Sequence, residues 1–90
     1  MVVFLFTKKS EKIFESLPEW VQTRMANKLV SLKDHEEIFK ILKPLVDYDL
    51  ATHRLRIGDY RLILSLKENR KYRAEFWVLD VGHRKDIYKS

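Results

Sequence analysis

HRLRIGDYRLIL, the run of residues 53–64, decides the fold because it predicts a β-hairpin whose strand register can be read directly. Two runs rich in Leu and Ile flank Gly58-Asp59, and this pattern is typical of a two-residue type II′ turn. Such a turn fixes the register and places Arg56 opposite Arg61. Because side chains alternate between the two faces of a strand, one face of the hairpin is apolar. The other face carries Arg54, Arg56 and Arg61.

The charge on this second face is unusual for a strand pair. Like charges directly opposite each other destabilise the pair, so the Arg56/Arg61 pair indicates a use beyond folding. Guanidinium groups are planar, permanently charged and multidentate, and several of them on a stiff hairpin can clamp phosphate. The alternative is a solvated strand face that happens to be basic.

The distribution of charge favours the phosphate interpretation. Residues 1–50 contain eight Lys and Arg against eight Asp and Glu, whereas residues 51–90 contain ten against five. All of the excess positive charge therefore lies on and after the hairpin. This asymmetry indicates an anionic partner, with nucleic acid as the first candidate.

The length and composition predict one domain over residues 1–90, with a small core. The chain has no cysteine, which fits a cytoplasmic protein. The apolar start, residues 1–6, is short and lacks the flanking regions of a signal peptide, and no run is long enough to span a membrane. We therefore expect a cytoplasmic protein with no membrane contact.

The order of predicted elements gives the fold class. Residues 2–6 predict a buried strand, and two helices follow, one ending near Leu17 and one running from Pro18 to about Lys33. Apolar residues at helical spacing mark the buried face of the second helix: Val21, Met25, Leu29 and Leu32. A short helical segment is expected over 36–42, before Pro44.

The second half of the chain predicts a strand meander. The second hairpin strand reaches Leu66, residues 67–71 form a charged loop, and a last strand covers 72–81 before a break at Gly82. We therefore predict an α+β fold: a small antiparallel β-sheet with two N-terminal helices packed on one face.

The residues allow one kind of chemistry better than others. The chain has no cysteine, no serine in a recognisable nucleophile elbow and no Gly-rich phosphate loop. An arginine cluster with nearby Tyr and His suits phosphoryl transfer in RNA, in which a 2′-hydroxyl attacks the adjacent phosphorus and expels the 5′-oxygen. Arg can orient the backbone and stabilise the developing charge, but it cannot move protons. The candidates for proton transfer are His83, Tyr88, His53 and Lys85.

Each of these candidates also has a structural interpretation. Neighbouring cations favour the phenolate form of a tyrosine, which makes Tyr88 a candidate base, but Tyr88 can equally pack against the sheet. His83 can be a turn residue after Gly82. His53 shares its alternation with Leu55, so we assign it a structural position at the edge of the hairpin.

Two motifs together carry a family resemblance. RLRIGDYRLIL at 54–64, followed by VGHRKDIY at 81–88, resembles the RelE/ParE superfamily of toxins from type II toxin–antitoxin systems. The upstream order of a strand, a helical hairpin and a connection with Pro44-Leu45 is similar too, so the resemblance covers the whole chain.

The resemblance to the RelE-like branch implies a fold and a function. Its members have a small antiparallel sheet with two N-terminal helices, and they are ribosome-dependent endoribonucleases that cut mRNA in the ribosomal A site. The activity requires no metal and no cofactor. A cognate antitoxin holds the toxin inactive, and the complex represses its own promoter, so promoter DNA is contacted only through that complex.

The resemblance also implies the site residues. By position, the basic residues and the tyrosine of RelE-type active sites fall on Arg54, Arg56, Arg61, Arg84 and Tyr88. The chain departs from the best-known relatives because its two hairpin positions are Arg and not Lys, so proton transfer shifts to Tyr88 or His83. We expect Arg61 and Arg84 to stabilise the scissile phosphate. RNA-binding roles then fall to Arg54, Arg56 and Lys85.

Two other functions stay open at the level of sequence. ParE-like relatives share the fold but inhibit DNA gyrase and cleave nothing, and they generally lack the terminal Tyr motif. A non-catalytic RNA-binding module would bind RNA with strong salt dependence and leave it intact.

Overall fold

The computed structural model describes residues 1–46 and 48–87 of the chain. It has the predicted α+β fold. The elements in chain order are β1 (Val2–Phe6), α1 (Lys8–Ser16), α2 (Glu19–Ser31), α3 (Ile38–Ile41), β2 (Lys43–Pro44), β3 (His53–Ile57), β4 (Tyr60–Arg70), β5 (Arg73–His83) and α4 (Arg84–Ile87).

The strands form one five-stranded sheet in the order β1-β5-β4-β3-β2. Strands β2 to β5 pair antiparallel, but β1 runs parallel to β5, from the pair Val2↔Ala74 to the pair Phe6↔Val78. The sheet is therefore mixed, whereas we predicted an antiparallel one. Parallel neighbours need a long crossover connection, and the helices and the meander between β1 and β5 provide it.

The hairpin of β3 and β4 has the predicted register. Arg56 lies opposite Arg61, and Ile57 lies opposite Tyr60. Gly58 has a φ of 60°, while Asp59 has no positive φ, as a type II′ turn requires. The turn chemistry therefore sets the register of the strand pair that carries the arginines.

Local residues determine where the first two helices, α1 and α2, begin. Thr7 caps α1: its Oγ1 accepts a hydrogen bond from the Ser10 backbone N–H at 3.1 Å, and the Thr7 N–H donates to Ser10 Oγ at 3.0 Å. Helix α2 begins directly after Pro18. The proline separates the two predicted helices because it disfavours helix at the preceding residue.

The predicted charged loop at 67–71 is wrong. Strand β4 continues to Arg70 and β5 starts at Arg73, so that residues 71–72 alone make the turn. Ion pairs along each strand offset the density of charge: Arg70 Nε lies 3.4 Å from a Glu68 oxygen, and Arg73 Nε lies 3.1 Å from Glu75 Oε2. Strand β5 also continues through Gly82, where we predicted a break.

Helices α1 to α3 cover one face of the sheet, and among the described residues a helix covers the other face only at its Gly82 end, where α4 packs. Val21 and Met25 of α2 are buried in one cluster with the inward side chains of the sheet, including Leu62 and Phe76. The opposite face, called the open face below, carries the alternate residues of the strands: Arg54, Arg56, Arg61, Ile63, Trp77, Asp80 and Gly82. No helix in the described part of the chain has the length and apolarity needed to cross a membrane.

Candidate functional site

Arg61 is the most constrained residue of the open face. It lies between Arg56 and Gly82 in the sheet and is only 7% exposed. Its Nη1 donates to the carbonyl oxygens of Gly58 at 2.8 Å and Tyr60 at 2.9 Å. Its buried Nε has no hydrogen-bond partner among the described residues. The hairpin turn thus holds this guanidinium in place through its Nη1.

Other cations surround Arg61 on the same face. Arg56 is directly opposite and exposed, and Arg54 is half-buried two residues along β3. Lys43 of β2 pairs with Arg54, so its side chain belongs to this face as well. We did not predict Lys43 as part of the site, because a two-residue strand has no periodicity from which to recognise it.

Arg84 is anchored to the same hairpin turn. Its backbone N–H donates to the Asp59 carbonyl oxygen at 2.7 Å, and its Nε lies 3.9 Å from Asp59 Oδ1. Asp59 therefore attaches the start of α4 to the turn whose carbonyls hold Arg61. The structure brings Arg61 and Arg84, the two residues that we expect to stabilise a phosphate, to one turn.

Helix α4 folds back onto the end of the sheet beside Arg61. The Ile87 side chain lies 3.5 Å from the position that a β-carbon at Gly82 would occupy. This distance is an ordinary van der Waals contact, so α4 packs closely against the Gly82 end of β5. Tyr88 directly follows α4 in sequence but lies outside the described residues.

His83 does not lie on the same face of the sheet as Arg61. It pairs with Tyr60 in the sheet, and the two rings contact each other with centroids 5.4 Å apart, on the face opposite Arg61. Its Nδ1 accepts a hydrogen bond from the Lys85 backbone N–H at 3.1 Å. The Lys85 side chain is exposed on α4.

His53 takes a structural position, as we expected. Its ring packs between Phe39 and Phe76, with centroids 5.5 Å and 5.7 Å away. Burial lowers the pKa of His53, because desolvation disfavours the imidazolium form. His53 is thus kept neutral on the covered face, away from the arginines.

The far end of the open face has a different character. Trp77 is 37% exposed there, and Lys67 Nζ lies 5.4 Å from the centre of its ring. Lys67 also lies 3.8 Å from Glu75, whose carboxylate accepts from Arg73; this hydrogen bond lowers the pKa of Glu75. This end combines aromatic surface with paired charges, whereas the end at Arg61 is dominated by cations.

Solved structures show where this architecture occurs. The chain is similar to a chain of the RelB–RelE antitoxin–toxin complex from Methanococcus jannaschii, with a TM-score of 0.67 and 22% identity over 94% of this chain and 95% of that one. It is similar to a chain of the RelBE2 toxin–antitoxin complex from Mycobacterium tuberculosis, with a TM-score of 0.71 and 23% identity over 91% of this chain and 96% of that one. It is also similar to a chain of the intact RelBE toxin–antitoxin complex from E. coli. That comparison has a TM-score of 0.59 and 20% identity, and it covers 90% of this chain and 94% of the other.

These comparisons establish the RelE-like fold over almost the whole chain. No protein-family model and no curated protein sequence matches the chain.

Proposed function

We propose that residues 1–90 are the toxin of a type II toxin–antitoxin system and act as a ribosome-dependent endoribonuclease on mRNA in the A site. The observation that carries this proposal is that one hairpin turn holds both Arg61, on the basic open face, and Arg84, through Asp59. The RelE-like fold, seen in three toxin–antitoxin complexes, supports it. The toxin would act in the cytoplasm, where its ribosomal substrate is.

The reaction needs charge stabilisation more than covalent chemistry. The 2′-oxygen of one nucleotide forms a bond to the adjacent phosphorus, the bond from phosphorus to the 5′-oxygen breaks, and a 2′,3′-cyclic phosphate and a 5′-hydroxyl result. Arg61 and Arg84 would stabilise the extra negative charge on the phosphoryl oxygens. The RNA backbone would be held by Arg54, Arg56 and Lys85.

Two protons move in this reaction, and arginine carries neither. We assign the proton transfers to Tyr88, which directly follows Ile87 in the sequence, because cations near a tyrosine would favour its phenolate form. His83 is the second candidate. The position of its ring against Tyr60, on the face away from Arg61, favours Tyr88 over His83.

The proposed protein partner is a cognate antitoxin. Uncovered sheet surface with the exposed Trp77 gives such a partner apolar area next to the basic end of the face. An antitoxin bound across the open face would cover the arginines and exclude RNA. Promoter DNA would be contacted only through the toxin–antitoxin complex.

Brief induction of the chain in growing cells tests this proposal. Primer extension on a reporter mRNA should show cuts at in-frame positions within translated codons, and a translation inhibitor should abolish them. Arg84→Ala should remove the cuts, whereas Arg70→Ala, which removes one charge near the far end of β4, should keep them.

Two results would overturn the ribonuclease assignment. Growth arrest with intact mRNA would instead indicate a gyrase-inhibiting protein with the same fold. Normal growth with intact mRNA, from a folded and expressed chain, would indicate a non-catalytic RNA-binding module.

A further inference from the structure

A cleft of about 330 Å³ lies at the outer edge of β3, next to the hairpin turn, and borders the site described above at Arg56. Strand β2 pairs with β3 only at His53 and Arg54, so it leaves this part of the edge uncovered. Helix α2 forms the other wall. The lining residues are Arg24, Asn27 and Lys28 from α2, and Arg56, Ile57 and Gly58 from the hairpin.

Arg24 is seated directly on the turn. A β-carbon added at Gly58 would lie only 2.8 to 2.9 Å from three atoms of the Arg24 guanidinium. The carbonyl oxygen of the same glycine accepts a hydrogen bond from Arg61. One glycine thus contacts two guanidinium groups, with Arg24 on the α2 side and Arg61 on the open face.

The cleft brings three cationic side chains together, although their mutual repulsion disfavours such an arrangement in the folded protein. Arg24 and Lys28 are four residues apart on α2, where like charges destabilise a helix. Neither forms an ion pair with any residue that the structure describes, and the cleft has no carboxylate in its lining. Arg56 adds a third positive charge from the strand, and Asn27 adds a neutral hydrogen-bonding group.

A bound phosphate group would account for this cluster of cations better than exposure to solvent alone would. A cationic helix face exposed only to water would keep its charges apart, whereas these charges converge on one concave surface from two elements. Arg56 belongs both to the cleft and to the arginine face around Arg61. A polyanion that occupies both sites would therefore cross the β3 edge at the turn.

We infer that this cleft binds a backbone phosphate of RNA, next to the phosphate held at Arg61, through Arg24 and Lys28. The inference rests on the proposed function in one respect, namely that the occupant of the Arg61 site is RNA. Arg24 and Lys28 are binding residues in this assignment and take no part in the chemical step.

Equilibrium binding of an uncleavable RNA tests the inference without any cleavage. The probe is a fluorescent single-stranded RNA of about 12 nucleotides, 2′-O-methylated throughout, titrated in roughly 0.05 to 0.3 M potassium chloride. Removing one cation that neutralises a phosphate of a single strand reduces the slope of log K against log salt by about 0.7, which is about fivefold in affinity at 0.1 M salt. We expect this reduction for Arg24→Gln and for Lys28→Gln, and about 25-fold for the double variant.

The matched control is Lys12→Gln, which removes one positive charge from the exposed side of α1. It should leave the slope unchanged. Circular dichroism of each variant confirms that the fold is retained. If the double variant binds the probe like Lys12→Gln, or if wild-type binding shows no salt dependence, the inference is wrong.

A cleavage assay on programmed ribosomes separates this inference from the proposed function. The double variant should need about 25-fold more protein for half-maximal cleavage but should reach the wild-type rate at saturation. A lower rate at saturation would contradict the inference, because it would place the cleft in the chemical step. If the wild-type protein cleaves nothing, the proposed function fails, while the probe titration still decides whether the cleft binds RNA phosphate.

Discussion

Arg61 combines a cost in stability with a fixed guanidinium, which suits the role that we propose for it. It is buried opposite another arginine, which weakens the strand pair, and its Nη1 is held by two turn carbonyls. A guanidinium fixed in advance loses little freedom when it binds a phosphate, so it can act on the transition state without reorganisation. The proposed phosphate-binding role would account for an arginine at a position where folding alone would favour a neutral residue.

The burial of His53 predicts that the stability of the protein depends on pH. Burial lowers its pKa below the ordinary 6.5, so the unfolded chain takes up a proton before the folded chain does. The stabilising contribution is therefore complete above about pH 6.5 and is lost as the pH falls through and below that value. Urea denaturation of the wild-type chain between about pH 7.5 and 5.5 should show this loss, and His53→Gln should show less of it. Equal pH dependence in both proteins would contradict the assignment.

At the scale of elements, the hairpin could be predicted because its turn chemistry is local. Gly58-Asp59 selects a two-residue turn, and this turn fixes every pair from Ile57↔Tyr60 to His53↔Leu64. The predicted helices are present because capping by Thr7 and the break at Pro18 are local too.

Other features depended on contacts distant in sequence. The parallel pairing of β1 with β5 joins residues more than seventy positions apart, and no local pattern encodes its direction. The strands continue through 67–70 because ion pairs along each strand and pairing across them outweigh the loop-like composition. The sequence gives no signal that Arg24 lies near the hairpin, because only the packing of α2 on the turn places its guanidinium at Gly58.

Gly58 gives the prediction for the hairpin. Gly58→Ala should lower the free energy of unfolding by about 1 to 3 kcal/mol, because a positive φ strains any residue with a β-carbon. The new β-carbon would also displace the Arg24 guanidinium. Urea denaturation of Gly58→Ala, Arg24→Ala and the double variant separates the two effects. The double variant should be more stable than additivity predicts, by about 0.5 kcal/mol or more, and strict additivity would show that the contact with Arg24 contributes nothing.

At the scale of the whole molecule, the two faces of the sheet differ. Helices α1 to α3 and the buried cluster lie on one face, whereas Arg54, Arg56, Arg61 and Trp77 lie on the other, where we propose that partners bind. Substitutions on the two sides should therefore affect different properties. In the proposed function, this division leaves most of one sheet face of a ninety-residue chain for partners.

Phe76 tests this division through global stability. It is fully buried at the centre of the covered face, where its ring packs against Phe4, Phe39 and His53. Phe76→Ala should cost about 3 to 5 kcal/mol, a large part of the stability of a small domain. Its neighbour Trp77 on the open face is the matched control, and Trp77→Ala should cost clearly less. Thermal or urea unfolding measures both, and similar losses would contradict the division.

Single-turnover cleavage of mRNA on programmed ribosomes by purified wild-type protein and by Arg61→Gln tests the proposed role of Arg61 in the chemical step. We predict fragments that end in a 2′,3′-cyclic phosphate and a 5′-hydroxyl, and a rate at saturating protein that falls by about 10²- to 10³-fold in the variant. Arg70→Gln should keep the wild-type rate, because its charge lies near the other end of β4. Cleavage by Arg61→Gln at the wild-type rate would contradict the proposed role of Arg61, because it would show that the hairpin-turn arginine takes no part in the chemical step.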